Sequence, residues 1–123
     1  MDITRCLDSY ALMEIMNGNP KFAHYLNLKF IIADMTLAEF YGVILREQGE
    51  EKADYWLDKF QAFSMNVSLN ILTKAVKFRY VNRDKNISLI DAIGYIFSKE
   101  NNYIFVTGDR EFEKLENVEF IKK

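Results

Sequence analysis

The stretch Asn101-Asn102-Tyr103-Ile104-Phe105-Val106-Thr107-Gly108-Asp109 is the clearest strand signal in the chain. Its centre is aromatic and β-branched, and turn formers bound it on both sides. Working outward, helical and strand patterns alternate. Leu89, Ile93, Ile96 and Phe97 repeat at helical spacing, as do Leu69, Leu72, Val76 and Tyr80 before them. The same spacing holds for Leu37, Phe40, Tyr41 and Ile44, and for Ala53, Trp56, Leu57 and Phe60. Short strands are expected at residues 3–7, 30–33 and 65–67. Helices are expected at residues 10–16 and, after Pro20, at 21–26. Beyond Asp109 come a helical turn over 111–115 and a last strand over 118–121. The alternation predicts an α/β domain of parallel strands joined by helical crossovers, one domain over residues 1–123.

Composition narrows the class. Of 123 residues, 50% are hydrophobic and 15% aromatic, with one Pro and five Gly, which excludes a disordered chain and argues against an all-β one. The apolar runs are too short to cross a bilayer. Asp2, Arg5, Asp8 and Glu14 interrupt any signal-peptide core. The only cysteine, Cys6, lies in an apolar run and reads as buried and inert. A soluble, cytoplasmic protein is expected. Sixteen Lys+Arg against eighteen Asp+Glu leave a net charge of −2, so bulk charge does not grip nucleic acid. Contact with phosphates would fall to local cations. The segment Lys74, Lys77, Arg79, Arg83 and Lys85 is the best candidate, with a solvated helix face as the alternative; Arg110, adjacent to Asp109, either steadies substrate or pairs with a neighbouring acid.

Four acids stand at strand ends or helix starts, and each has a local explanation. Asp8, followed by Ser9, suits an N-cap. Thr36-Leu37-Ala38-Glu39 fits a capping box, and Ser88-Leu89-Ile90-Asp91 has nearly the same form. Asp109 suits a turn or cap. In open α/β sheets, however, ligands bind beyond the carboxyl ends of strands. Asp8 and Asp109 follow two such ends, and they converge if those strands are neighbours.

Taken as a set, the acids carry a resemblance to the PIN-domain family, and to its VapC-type toxins in particular. Ile3-Thr4-Arg5-Cys6-Leu7-Asp8-Ser9 resembles the family's first strand and acid. Thr36-Leu37-Ala38-Glu39-Phe40 is similar to its Thr-x-x-Glu helix start. Leu89-Ile90-Asp91-Ala92-Ile93 matches its Asp-Ala box, and Val106-Thr107-Gly108-Asp109-Arg110-Glu111-Phe112 its Thr-x-Asp-x-x-Phe ending. The resemblance implies a PIN-like three-layer α/β/α sandwich around a central parallel sheet of four to five short strands. It implies Asp8, Glu39, Asp91 and Asp109 as a catalytic cluster binding Mg²⁺ or Mn²⁺, with Thr107 orienting the acids. Ser9 and Thr36 are lesser supporting partners, which local capping explains equally well. It also implies an endoribonuclease leaving 5′-phosphate and 3′-hydroxyl ends, the toxin of a toxin–antitoxin pair, with an antitoxin partner and often a homodimer. Lys74, Lys77, Arg79 and Arg110 are the substrate-contact candidates.

Elementary electrostatics agrees with that picture. Two like charges ~4 Å apart repel by about 4 kcal/mol at an effective dielectric of about 20, so converging carboxylates call for a cation or raised pKa values. An all-oxygen donor set selects Mg²⁺ or Mn²⁺ over Zn²⁺. His24 is the lone histidine and reads as a surface or packing residue. The aromatic set Tyr55, Trp56, Phe60 and Phe63 reads chiefly as core, with a dimer or antitoxin groove as the alternative. Three rivals remain: a non-catalytic PIN-like module binding RNA or protein, four independent caps in an unrelated fold, and a phosphate-accepting receiver domain. The last lacks its acceptor Asp, since Met65-Asn66-Val67-Ser68 stands where that acid belongs.

Overall fold

The computed structural model describes residues 2–122. Met1 and Lys123, the two ends of the unit expected over residues 1–123, lie outside the described residues. Five strands form one parallel sheet in the order β3-β2-β1-β4-β5. The strands are β1 (Arg5–Leu7), β2 (Phe30–Ala33), β3 (Ser64–Met65), β4 (Ile104–Thr107) and β5 (Val118–Phe120). Between β1 and β2 run α1 (Ser9–Met16), α2 (Pro20–Ala23) and a 3-10 turn (His24–Asn27). Between β2 and β3 come α3 (Asp34–Gln48), α4 (Glu50–Phe60) and a second 3-10 turn (Gln61–Phe63). Next, α5 (Leu69–Val81) and α6 (Leu89–Glu100) lead to β4, and a 3-10 turn (Arg110–Phe112) leads to β5. This is the three-layer α/β/α arrangement with five strands.

The strand order explains the layers. The chain steps outward from β1 to β2 to β3, then crosses back to the far side of β1 to form β4. With right-handed crossovers, a reversal of direction puts the later helices on the opposite face. Alternating residues show both faces filled. Leu7, Ile32 and Val106 pack with Leu12 of α1 and Phe40 of α3, whereas Cys6, Phe105 and Ala33 pack with Ala75 of α5 and Ile93 of α6. Strands buried on both faces account for the near-continuous apolar runs read in the sequence.

Two observations correct the sequence reading. Helix α3 begins at Asp34, two residues before Thr36, and no side chain caps it, so Thr36 and Glu39 are not a capping box. The chain passes from β2 into α3 without a linker, which places Thr36 inside the first turn, buried at 2% exposure. The aromatic set is also only partly core. Phe60 is buried and Trp56 is half-buried, while Tyr55 and Phe63 remain exposed. They line a cavity of about 250 Å³ with Ile15, Leu26 and Phe30.

Gly94 sets how closely α6 lies on the sheet. A Cβ added there would stand 2.9 Å from Phe105 Cε1 and 3.7 Å from Thr36 Oγ1, so α6 meets β4 and α3 through a residue without a side chain. Gly94→Ala is expected to destabilise the protein. Over-packing costs about 1–3 kcal/mol, against roughly 1 kcal/mol that alanine returns as a better helix former. Urea unfolding reads the difference; an unchanged or raised midpoint would show that α6 tolerates more distance from Phe105.

Candidate functional site

The neighbouring strands β1 and β4 diverge in their onward connections, one toward β2 and the other toward β5. A crevice opens at such a switch point, beyond the carboxyl ends of the strands. Leu7 pairs with Val106, and the Asp8 N–H donates to the Val106 carbonyl at 3.1 Å, so the ladder carries on into the acid itself. The condition set by the sequence for Asp8 and Asp109 to converge, adjacent strands, is met.

Local hydrogen bonds place three of the four acids. Asp8 caps α1, its Oδ1 accepting from the Ala11 N–H at 2.8 Å. Asp109 accepts from the Glu111 N–H at 3.0 Å, while its own N–H donates to Thr107 Oγ1 at 3.0 Å. Ser88 caps α6 by accepting from the Asp91 N–H at 3.1 Å, which fixes Asp91 in the first turn. Glu39 lies further along α3, half-buried. Asp8 is the most deeply placed of the four at 2% exposure; Glu39, Asp91 and Asp109 are half-buried.

The four carboxylates form one connected electrostatic set. Burial pushes the Asp8 carboxyl up to about 8; a hydrogen bond from Thr107 opposes this, the charge of Asp91 adds to it, the Ala11 N–H opposes it and Asp109 adds again. Burial likewise raises Asp91 to about 6, followed by the charges of Glu39 and Asp109, with a hydrogen bond from the Ser88 side chain working the other way. Desolvation leads in both cases and mutual repulsion reinforces it. Among the described residues, no group of three or more His, Cys, Asp or Glu side chains is placed so that it could hold a metal ion as it stands. The donor chemistry nevertheless fits a hard divalent cation, because the four members offer only oxygens and repel one another without a counter-charge.

The remaining predicted residues divide. Thr107 is fully buried and bonded to both Asp8 and the Asp109 backbone. Ser9 opens α1 and Thr36 lies against Gly94. Lys74 is tied to Glu100 in an ion pair, Lys77 is exposed on α5, and Arg79 Nε donates to the Ile87 carbonyl at 2.8 Å. Arg110 is exposed in the turn after Asp109. His24 is exposed and packs its ring against Tyr25 at 4.1 Å. Cys6 is fully buried, and burial raises its thiol to about 11, which keeps it protonated and unreactive.

One further acid at a strand end, which the sequence reading did not single out, stands apart from the coupled set. Asp34 directly follows β2, and its Oδ1 is buried without a hydrogen-bond partner among the described residues, beside a cavity of about 370 Å³. The signal was in the sequence: an acid immediately after an apolar strand, as with Asp8.

The sequence matches no family model and no curated relative. Solved structures resemble the fold over nearly its whole length. A toxin–antitoxin complex from Klebsiella pneumoniae superposes with a TM-score of 0.76 at 18% identity, covering 97% of this chain and 99% of that one. VapC20 of Mycobacterium tuberculosis, described as a sarcin-ricin loop cleaving toxin, gives 0.76 at 12% identity, covering 96% and 97%. A DNA-bound VapBC complex from Salmonella typhimurium gives 0.77 at 16% identity, covering 99% and 98%. The architecture is the PIN-like fold of VapC-type toxins; at these identities the likeness is one of fold.

The raised carboxyls make a stability prediction. Asp8 has an ordinary value of 3.8 and a folded value of about 8. Its contribution is therefore fully present below about pH 3.8 and is lost as pH rises through about 8. Asp91 follows the same sign between 3.8 and about 6. In EDTA, Tm is expected to fall from about pH 5 to about pH 9. Asp8→Asn keeps an acceptor for the Ala11 N–H and should flatten that fall, with a higher Tm at the alkaline end. A thermal-unfolding series showing the same slope in both proteins would contradict the burial of an ionisable Asp8.

Proposed function

We propose that this chain is a divalent-metal-dependent endoribonuclease of the VapC toxin type, acting on RNA phosphodiester bonds and controlled by an antitoxin. The observation that carries the reading is the electrostatic coupling of Asp8, Asp91, Asp109 and Glu39 at the switch point between β1 and β4. The fold likeness to a toxin that cleaves the sarcin-ricin loop supports it.

In this reading Asp8 and Asp109 hold Mg²⁺ or Mn²⁺ directly, and Glu39 and Asp91 hold it directly or through water. When bound, the cation supplies a counter-charge to the cluster, polarises a phosphate oxygen and eases deprotonation of water. The chain's own groups do the rest. Thr107 and the Ala11 N–H hold the Asp8 carboxyl, the Glu111 N–H holds that of Asp109, and Ser88 fixes the backbone of Asp91 in the first turn of α6. Asp91, raised toward neutrality, is suited to accept the proton of the attacking water. Attack by water on phosphorus with the P–O3′ bond breaking, the outcome that the family resemblance implies, leaves a 5′-phosphate and a 3′-hydroxyl and needs no histidine pair; His24 is exposed, with its ring against Tyr25.

Partner binding belongs to the same proposal. Complexes with an antitoxin are among the solved relatives in fold. The apolar cavity between Ile15, Phe30, Trp56 and Phe63 offers this chain a place for such a partner, and a homodimer is expected alongside it.

Cleavage of an end-labelled RNA by rigorously purified protein tests the reading. Wild type is expected to cut with Mg²⁺ or Mn²⁺ and to stop in EDTA. Asp8→Asn and Asp91→Asn are expected to lose about a hundredfold or more in rate while keeping the fold. Cleavage by Asp8→Asn at the wild-type rate sinks the assignment. RNA binding without cleavage under every metal condition would favour the non-catalytic module instead.

A further inference from the structure

Where α5 turns into α6, Arg79, Arg83 and Lys85 surround a cavity of about 510 Å³ together with Tyr80 and Asn86. Among the described residues the ion pairs are Arg5–Glu119, Lys74–Glu100 and Lys99–Glu116, so none of these three cations is neutralised by contact. The turn itself gathers them. The Arg83 N–H donates to the Tyr80 carbonyl at 3.2 Å and the Lys85 N–H to the Asn82 carbonyl at 2.9 Å, which folds both residues back over the last turn of α5. Arg79 fastens the far side of the loop through the Ile87 carbonyl. Lys74, by contrast, is occupied by Glu100, which moves the free positive charge to this end of α5.

The cavity also has an aromatic wall. Tyr80 is 66% exposed, and the Arg83 guanidinium lies 4.5 Å from its ring centroid. A solvent-facing ring backed by a planar cation, next to two further cations, suits a base and its adjoining phosphate on a single strand: stacking tolerates any base, and the cations meet the backbone charge. An acidic peptide would use the cations and leave the stacking surface idle. The position suits RNA as well. Ile87 lines the cavity, Ser88 caps α6 and Asp91 sits in the first turn of α6. Even a fully extended chain spans only about 14 Å between the Cα atoms of Ile87 and Asp91.

We propose that the α5–α6 turn is a subsite for single-stranded RNA, with Arg83 and Lys85 on phosphate and Tyr80 stacking a base, close to the bond held at the acidic cluster. The proposal rests on the ribonuclease reading above and adds where the strand is gripped.

Fluorescence anisotropy with a fluorescein-labelled, mixed-sequence oligoribonucleotide of about twelve nucleotides tests it. The background is Asp8→Asn, so the RNA is not consumed. Arg83→Ala with Lys85→Ala is expected to weaken binding about tenfold or more, and to lower the salt-dependence slope by about 1.4. Tyr80→Ala is expected to cost about fivefold or more at an unchanged slope, with Tyr80→Phe restoring affinity. Tyr80 and Arg83 are exposed and Lys85 is half-buried, so circular dichroism should match the parent. Unchanged RNA affinity and slope in all variants overturns the subsite, while cleavage of the same RNA by wild type would leave the nuclease reading standing. If wild type neither binds nor cuts the RNA, both fall. Variants that lose a polyglutamate peptide yet keep RNA would assign the cavity to an acidic partner and overturn the proposal.

Discussion

Negative charge held partly out of water at the carboxyl ends of β1 and β4 is the constraint on which this structure turns. Asp8 sits almost wholly out of water with Asp91 and Asp109 in electrostatic reach, and Asp91 in turn feels Glu39. Such a group must either keep a proton or find a cation. The architecture works to maintain this tension rather than relieve it. Adjacent β1 and β4 bring two acids to one edge, and α6, close-packed through Gly94, brings its first turn and Asp91 to the same end of the sheet. Thr107 and the Ala11 and Glu111 N–H groups then hold the Asp8 and Asp109 carboxylates in place. A purely structural use of these residues would disperse the charges or pair them with Lys or Arg. No ion pair among the described residues involves any of the four.

Charge of the opposite sign is kept a short way off. The chain is nearly neutral overall, yet unpaired cations collect at the turn leading into α6 while carboxylates collect just beyond that helix's start. Helix α6 thus links a group of cations just before its start to a set of carboxylates that includes Asp91 in its first turn.

Much of this was legible in the sequence. Strand β2 falls on the residues its apolar run marked, and the two helices α5 and α6 follow their periodic residues. The Asp8 and Ser88 caps were legible because a capping side chain acts within three residues of its own position. The start of α3 was not, since Thr36 and Glu39 imitate a capping box while the chain enters the helix directly from β2. Asp34 was passed over because no helical or motif pattern singled it out, although its position after an apolar strand did. What no local pattern carries is the approach of α3 to α6 across Gly94, a tertiary contact on which the coupling of Glu39 to Asp91 depends. The exposure of Tyr55 and Phe63 was hidden for the same reason, as composition counts aromatics without saying which neighbours cover them.

Isothermal titration of the metal-free protein with Mn²⁺ near neutral pH, repeated in buffers of differing ionisation enthalpy, addresses the central claim most directly. A saturable site should appear with net proton release, because an Asp8 carboxyl raised to about 8 must give up its proton to bind a cation. Both the binding and the released proton should disappear in Asp8→Asn. Heat and proton count indifferent to that substitution, or no binding at all, would mean that the acids at this edge of the sheet do not act as one cation site.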